Sequence, residues 1–317
     1  MGARSYPVGM SPDVEQHAAL VALLRAKVRG YTWHDVATDV WMVGDAMALW
    51  RDRATGDGLV ADPRTGAELA SAREDVLRWR DQGLRLISIL DEDFPARLRD
   101  IREAPPFLFA SGHLTPDDAG MSVVGSRKAS DRGHQVARAA AQILADKGLT
   151  VIAGLAEGID TTAHETALEA GGRTVAFIGT GITRHYPARN RALQEEIARR
   201  GLVLSQFWPD AAPTRHSFPI RNSAMSGYGM GTIVVEAGET SGTRIQARVA
   251  VEHGRPVILT DMVAERTRWG AALVGRPGVR VVTGAGDLSR TIDEVLDQQD
   301  ALGRALDAFA GFAPTAA

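Results

Sequence analysis

Apolar and polar positions change rhythm along this chain. Up to about residue 82 the apolar residues recur at helical spacing. Val14, Ala18, Val21 and Leu24 follow Ser11-Pro12-Asp13, which supplies a cap, a first-turn proline and an early acid. Thr32 opens a second short helix through Trp33, Val36, Val40 and Trp41. The polar stretch "RDRATGDGLVADPRTG" at 51–66 breaks the pattern, and a third helix follows and stops at Gly83. "LRLISIL" (84–90) reads as a strand. Phe94-Pro95 enters a short helix, and "PPFLFASG" reads as another short strand.

From residue 121 short β-rich apolar runs alternate with helical stretches. The runs lie at 121–124, 149–153, 173–178, 202–207, 231–236, 256–260 and 279–282. The helices between them are expected near 132–147, 160–171, 188–200, 219–228, 240–253 and 264–274. Such alternation predicts an α/β fold, with a doubly wound, mostly parallel sheet covered on both faces. Continuously apolar strands such as "TIVVEA" agree, because they are buried on both sides. One further helix and an Ala/Pro/Gly-rich end close the chain. The expected division is a small N-terminal helical domain (1–82), an extended α/β domain (83–290) and a C-terminal helix and tail (291–317).

Ligands of an open parallel sheet bind beyond the carboxyl ends of its strands. In this sequence those ends read Gly125-Ser126-Arg127-Lys128, "GLAEGID" (154–160), "GTGITRHYPARN" (179–190), "SQFWPDAAPTRHSFPIRN" (205–222) and "EAGETSGTRIQA" (236–247). All five carry glycine, hydroxyl or arginine residues. Two cations at a glycine turn before a helix suggest an anion held at that helix's amino end. Arg127 is otherwise a surface arginine after a tight turn. Gly154 and Gly158 either line a pocket or let the chain turn. Asp160 reads as a helix cap, and His164 as a packed helix histidine. Arg221 falls in the first turn of a helix opened by Phe218-Pro219, where a cation is disfavoured unless an anion is present. Tyr186 and Asn190 face a ligand or the core. Thr240 and Ser241 are ordinary caps or phosphate contacts.

Composition narrows the function. Across 317 residues the net charge is −3, so a nucleic-acid site must be a local basic patch. With no cysteine, disulfides and thiolate metal sites are excluded. The scattered histidines form no metal motif, and no metal or cofactor is expected. "MGARSYPVGM" lacks a signal-peptide core, and no apolar run approaches the ~18 residues of a membrane span. A soluble, cytoplasmic protein without a membrane partner is expected. There is no Walker A lysine motif and no G-x-S-x-G elbow, and "GTGITR" has only the first two glycines of the dinucleotide fingerprint. No residue is assigned a catalytic role. Glu157, Asp160 and Glu236 could serve as acid or base, but capping is the commoner fate of such residues.

Taken together, "VVGSRKAS", "AGLAEGIDTTAHETAL", "GTGITRHYPARN", "FPIRN" and "VVEAGETSGTRIQA" resemble, in order and spacing, the DprA/Smf family of DNA-processing proteins. "LISILDEDFPARLRDIREAPPFLFASG" resembles that family's opening segment, so the match spans about 84–260. The resemblance implies a Rossmann-like domain that binds and protects single-stranded DNA, loads a RecA-type recombinase during natural transformation, and forms a homodimer. Arg127 matches the family's phosphate-contacting arginine. Gly125, Ser126, Lys128, Gly154, Gly158, Asp160, Gly179, Thr180, Gly181, Tyr186, Asn190, Phe218, Arg221, Asn222, Ser241, Gly242, Thr243 and Arg244 complete the implied DNA and phosphate site. The sequence departs from the family at Ser223, Glu157, Gln206 and Arg244, and the winged helix many members carry is not expected within these 317 residues. Two other readings stay open. One is a nucleotide-binding or nucleotide-cleaving sensor, such as a phage-defence component under a partner's control. The other is an interaction module with a vestigial pocket.

Overall fold

In the computed structural model the described residues are 12–26, 30–55, 63–115 and 117–310. Ser11 and positions 56–62 of the expected polar break lie outside them. Four helices come first: α1 (Pro12–Arg25), α2 (Trp33–Val43), α3 (Ala46–Thr55) and α4 (Pro63–Asp81). Val14, Ala18, Val21 and Leu24 are buried, as their spacing predicts. Thr32 begins α2 with a reciprocal capping box to Asp35, and Gly44 ends it at φ 68°. The sequence reading missed α3, which runs on into the expected break. Its start is fixed from a distance: the Gln16 side-chain carbonyl accepts the Ala46 N–H at 2.8 Å, and Asp45 accepts the Ala48 N–H at 3.1 Å.

Beyond α4 the elements alternate. They run β1 (Arg85–Ser88), α5 (Ala96–Arg99), β2 (Phe107–Gly112), β3 (Gly120–Gly125), α6 (Asp131–Asp146), β4 (Thr150–Ala153) and α7 (Ile159–Glu169). Next come β5 (Thr174–Phe177), α8 (Arg191–Arg200), β6 (Leu202–Ser205), α9 (Ser217–Tyr228) and β7 (Gly231–Glu236). Last are α10 (Thr243–Glu252), β8 (Val257–Thr260), α11 (Asp261–Arg266), α12 (Arg268–Leu273), β9 (Val279–Val282) and α13 (Ala285–Ala310). The single helix expected at 264–274 is two, because Thr267 is extended and its hydroxyl caps α12 by accepting the Gly270 N–H. The sequence boundary at 290/291 falls inside α13.

The chain packs as two compact units. Unit 1 takes Met1–Asp118 with Thr174–Tyr228. Its strands are ordered β1-β2-β6-β5, with β5 and β6 parallel and the other pairings antiparallel. An aromatic stack explains why the later segment belongs with the N-terminal helices. The Trp208 ring lies 4.8 Å from Phe107 at 21° and 5.8 Å from Trp79 at 27°. Trp33 of α2 closes on both Phe107 and Trp208, at 5.5 and 5.3 Å. The stack thereby joins α2, α4, β2 and the loop after β6.

Unit 2 takes Ala119–Arg173 with Gly229–Ala317. Its strands are all parallel, ordered β4-β3-β7-β8-β9. Met121, Val123, Ile233, Val235 and Ile258 on one sheet face pack against apolar residues of α6, α7 and α13. Helix α10 packs on β7 and β8 without joining that cluster, so the sheet is covered on both sides. The winding runs from β3 to β4 on one side, and β7 lies on the other. The carboxyl ends of β3 and β7 are therefore a topological switch point.

Candidate nucleic-acid interface

At the switch point of unit 2, β3 ends in Gly125 and β7 in Glu236. The Ser126 N–H donates to the Glu236 carbonyl at 2.7 Å, and the Ile159 N–H to the Ser126 carbonyl at 3.2 Å. Two glycines make this closeness possible. A Cβ on Gly125 would lie 2.6 Å from Ile159 Cγ1, and one on Gly158 would lie 2.3 Å from the Ser126 carbonyl oxygen. Gly158 also has φ 79°, a conformation that L side chains resist. The turn 125–128 is thus braced from behind by the 154–159 loop, and Arg127 and Lys128 are exposed on it.

Two carboxylates of these loops, Asp160 and Glu236, are engaged with backbone groups. Asp160 is buried and lies inside α7, whose amino end falls at Gly158. Its carboxylate accepts the Gly154 N–H at 3.0 Å and the Ala156 N–H at 3.4 Å, so it ties its own loop rather than capping the helix as expected. Glu236 Oε2 accepts from the Ser130 N–H at 3.0 Å and the Ser130 hydroxyl at 2.8 Å. Ser130 in turn accepts the Gly133 N–H at 3.1 Å. Helix α6 therefore starts four residues beyond Arg127, with its positive end already facing Glu236 and Asp131. An anion at Arg127 and Lys128 meets their side chains, not the first turn of α6 that the sequence suggested. His164 is fully buried in α7.

The hydroxyls of "TSGTR" form a relay. The Ser241 hydroxyl donates to Thr243 Oγ1 at 3.0 Å, and the Thr243 hydroxyl to the Gly125 carbonyl at 3.2 Å. This clamps α10 to the end of β3 and directs both hydroxyl hydrogens inward. Gly242, the N-cap of α10, makes no side-chain cap and has open space where a Cβ would stand. Arg244 beside it is exposed.

Unit 1 carries the remaining candidates. Gly179, Thr180 and Gly181 follow β5 and are buried. The Phe218 ring covers Gly179, where a Cβ would lie 2.8 Å from Phe218 Cδ1. Gly181 packs on the Trp208 and Pro209 carbonyls, each 2.2 Å from where its Cβ would be. Tyr186 is 40% exposed and its ring lies 5.6 Å from that of Phe218. Asn190 is buried and Asn222 half-buried. Arg221 is 5% exposed, and its guanidinium donates to the Phe177 carbonyl at 2.8 Å. This bond ties the side chain to the end of β5.

The sequence reading passed over Gln246. Thr243, Gln246, Ala247 and Ala250 are all buried, so α10 carries one amide in its apolar stripe. The signal was legible as a polar residue in the buried phase of an amphipathic helix.

Residues 85–293 match the profile of a family described as DNA recombination-mediator protein A. The chain belongs to that family. The DNA recombination-mediator protein A match begins at β1 and ends within α13, so it contains every candidate site residue and leaves α1–α4 outside. Protein Smf of Synechocystis is 39% identical over 172 residues, which are 53% of this chain and 43% of that protein. The DNA processing protein DprA of Streptococcus pneumoniae is 38% identical over 203 residues, 63% of this chain and 72% of that one. The chain thus spans less than half the length of the Synechocystis relative. The X-ray structure of pneumococcal DprA superposes with a TM-score of 0.68 at 31% identity, covering 87% of this chain and 96% of that one. The Helicobacter pylori DNA processing protein A shares the fold, with a TM-score of 0.59 at 22% identity over 67% of this chain and 96% of that one. No helix among the described residues is long and apolar enough to cross a membrane.

Proposed function

We propose that this chain binds single-stranded DNA as a non-catalytic mediator of recombination, with Arg127 and Lys128 taking backbone phosphates. The observation that carries this reading is how charge is distributed at the switch point. The two cations are exposed on a braced turn, while Glu236 and Asp160 are bonded to backbone groups. A site for acid–base chemistry needs a carboxylate within reach of a reacting proton. A binding site needs the cations presented and the loop held, and this arrangement does both. The Helicobacter pylori relative binds single-stranded DNA, which supports the same ligand here. The family's description as a recombination mediator supports delivery of the strand to a RecA-type recombinase, and we extend the reading to a homodimer.

Fluorescence anisotropy of a labelled oligonucleotide at several salt concentrations tests this. Arg127→Ala should weaken binding and make the slope of log K against log salt shallower by about 0.7 for each phosphate no longer neutralised. Arg25→Ala, in α1 and paired with Asp75, should keep the wild-type slope. Equal affinity and slope in the two variants would remove the turn from the site. Binding of mononucleotides but not of strands would make the protein a nucleotide sensor instead.

A further inference from the structure

A cavity of about 150 Å³ lies in unit 2, beyond the carboxyl ends of β8 and β9. Val136 and Ala139 of α6, Val282 of β9 and Leu288 of α13 form its walls. Folded interiors leave few voids larger than a water molecule, and apolar walls hold water poorly, so a recess of this size calls for an occupant. Its volume is that of an apolar cavity that takes benzene, so it admits a single ring. The mouth is polar and reaches solvent. Arg132 and Gly284 are exposed there, and the Arg132 guanidinium donates to the Asp261 carboxylate at 2.7 Å.

The cavity shares an edge of the sheet with the Arg127 turn. The strands of unit 2 are parallel, so their carboxyl ends lie together, and β8 stands two strands, about 10 Å, from β3. Helix α6 links the two places. Arg132 follows Lys128 by four residues, which bounds their Cα separation at ~14 Å. A strand held by its phosphates at Arg127 and Lys128 therefore brings its bases to the neighbourhood of the mouth. The rim selects among rings. A phenylalanine ring has no polar edge to offer an ion pair. A nucleobase edge carries donors and acceptors that a carboxylate and a guanidinium can meet. We infer that this cavity takes one pyrimidine base of the strand whose phosphates Arg127 and Lys128 hold. This inference rests on the single-strand reading above. It adds a contribution that depends on the base and not on salt.

The experiment compares oligothymidylate with a strand of equal length made of abasic sites, in wild type, Ala139→Leu and Gly284→Phe. Ala139→Leu fills the cavity from its wall. Gly284→Phe covers the mouth, where a Cβ meets nothing within 4 Å and the backbone lies outside the left-handed region. Wild type should prefer the thymidine strand. Each variant should lower that preference by about ten- to 100-fold, the range for burying one ring-sized apolar group. The salt slope should stay unchanged, because no phosphate contact is lost. Gly284→Phe carries the test should the leucine variant fail to fold. A strand carrying 5-iodouracil should photo-crosslink to wild type within residues 132–139 or 282–288, and crosslinks confined to other segments overturn the inference. Equal binding of the two strands by wild type, or an unchanged preference in both variants, overturns the inference alone and gives the cavity to another occupant, such as a free nucleotide or a protein's aromatic side chain. Failure of wild type to bind any strand overturns the single-strand reading and this inference with it.

Discussion

Gly133 is the third residue of α6, and a Cβ there would lie 2.0 Å from Glu236 Oε2. Its next neighbour, Ala129 Cβ, is 3.4 Å away, an ordinary contact. Alanine inside a helix is favoured over glycine by about 1 kcal/mol. In the wild-type background, however, Gly133→Ala must push the Glu236 carboxylate off Ser130. That forfeits two bonds to a charged acceptor and its attraction to the helix end, about 2 kcal/mol at this half-buried site. The net effect is a destabilisation of about 1 kcal/mol. In a Glu236→Ala background the obstacle is gone, and the same substitution should stabilise by about 1 kcal/mol. The sign reverses, with a coupling of about 2 kcal/mol. Urea unfolding of the four proteins by circular dichroism measures it. Equal destabilisation by Gly133→Ala in both backgrounds would show that Glu236 does not hold the start of α6.

Two further outcomes follow from the same geometry. Gly158→Ala places a side chain at φ 79° and against the Ser126 carbonyl, so it should cost about 2–3 kcal/mol. It should also weaken strand binding as Arg127→Ala does, but with a lower melting temperature, and an intact melting temperature would contradict the bracing. In unit 1, burial alone would raise the Asp91 carboxyl, but bonds from His17 and Ser88 outweigh it and hold the carboxyl below its ordinary value. The stability this gives is present above the ordinary carboxylate range, near pH ~4, and is lost as pH falls through the lower folded value. Asp91→Asn should flatten the acid limb of a urea-midpoint profile, and an unchanged limb would place the acid sensitivity elsewhere.

The α/β alternation was legible because buried parallel strands are short apolar runs set between amphipathic helices. Strand β7 and helix α6 fall within a residue of their expected places for that reason. The glycine turn at Gly125 was legible from its local composition, but its bracing by the 154–159 loop was not. Contacts made across long stretches of sequence were not. Helix α3 depends on Gln16, 30 residues earlier. The bond from Arg221 to the Phe177 carbonyl was not legible, because sequence does not display which carbonyl a side chain meets. Asp160 looked like a cap because its type and place suit one. Only the fold shows its carboxylate turned back onto Gly154. Trp208 sits in a loop whose composition gives no hint that it stacks on Phe107.

The aromatic stack has a spectroscopic consequence. Of the six tryptophans, Trp33, Trp41, Trp50, Trp79 and Trp208 belong to unit 1, and Trp269 alone to unit 2. Intrinsic emission excited at the red edge therefore reports chiefly on unit 1, with neighbouring indoles such as Trp79 and Trp208 able to exchange excitation. A change at the Arg127 turn would be nearly silent in that signal. Replacing the unit 1 indoles with phenylalanine would leave Trp269, whose ring N–H is bonded to the Gly238 carbonyl, as a single probe of the unit that carries the turn.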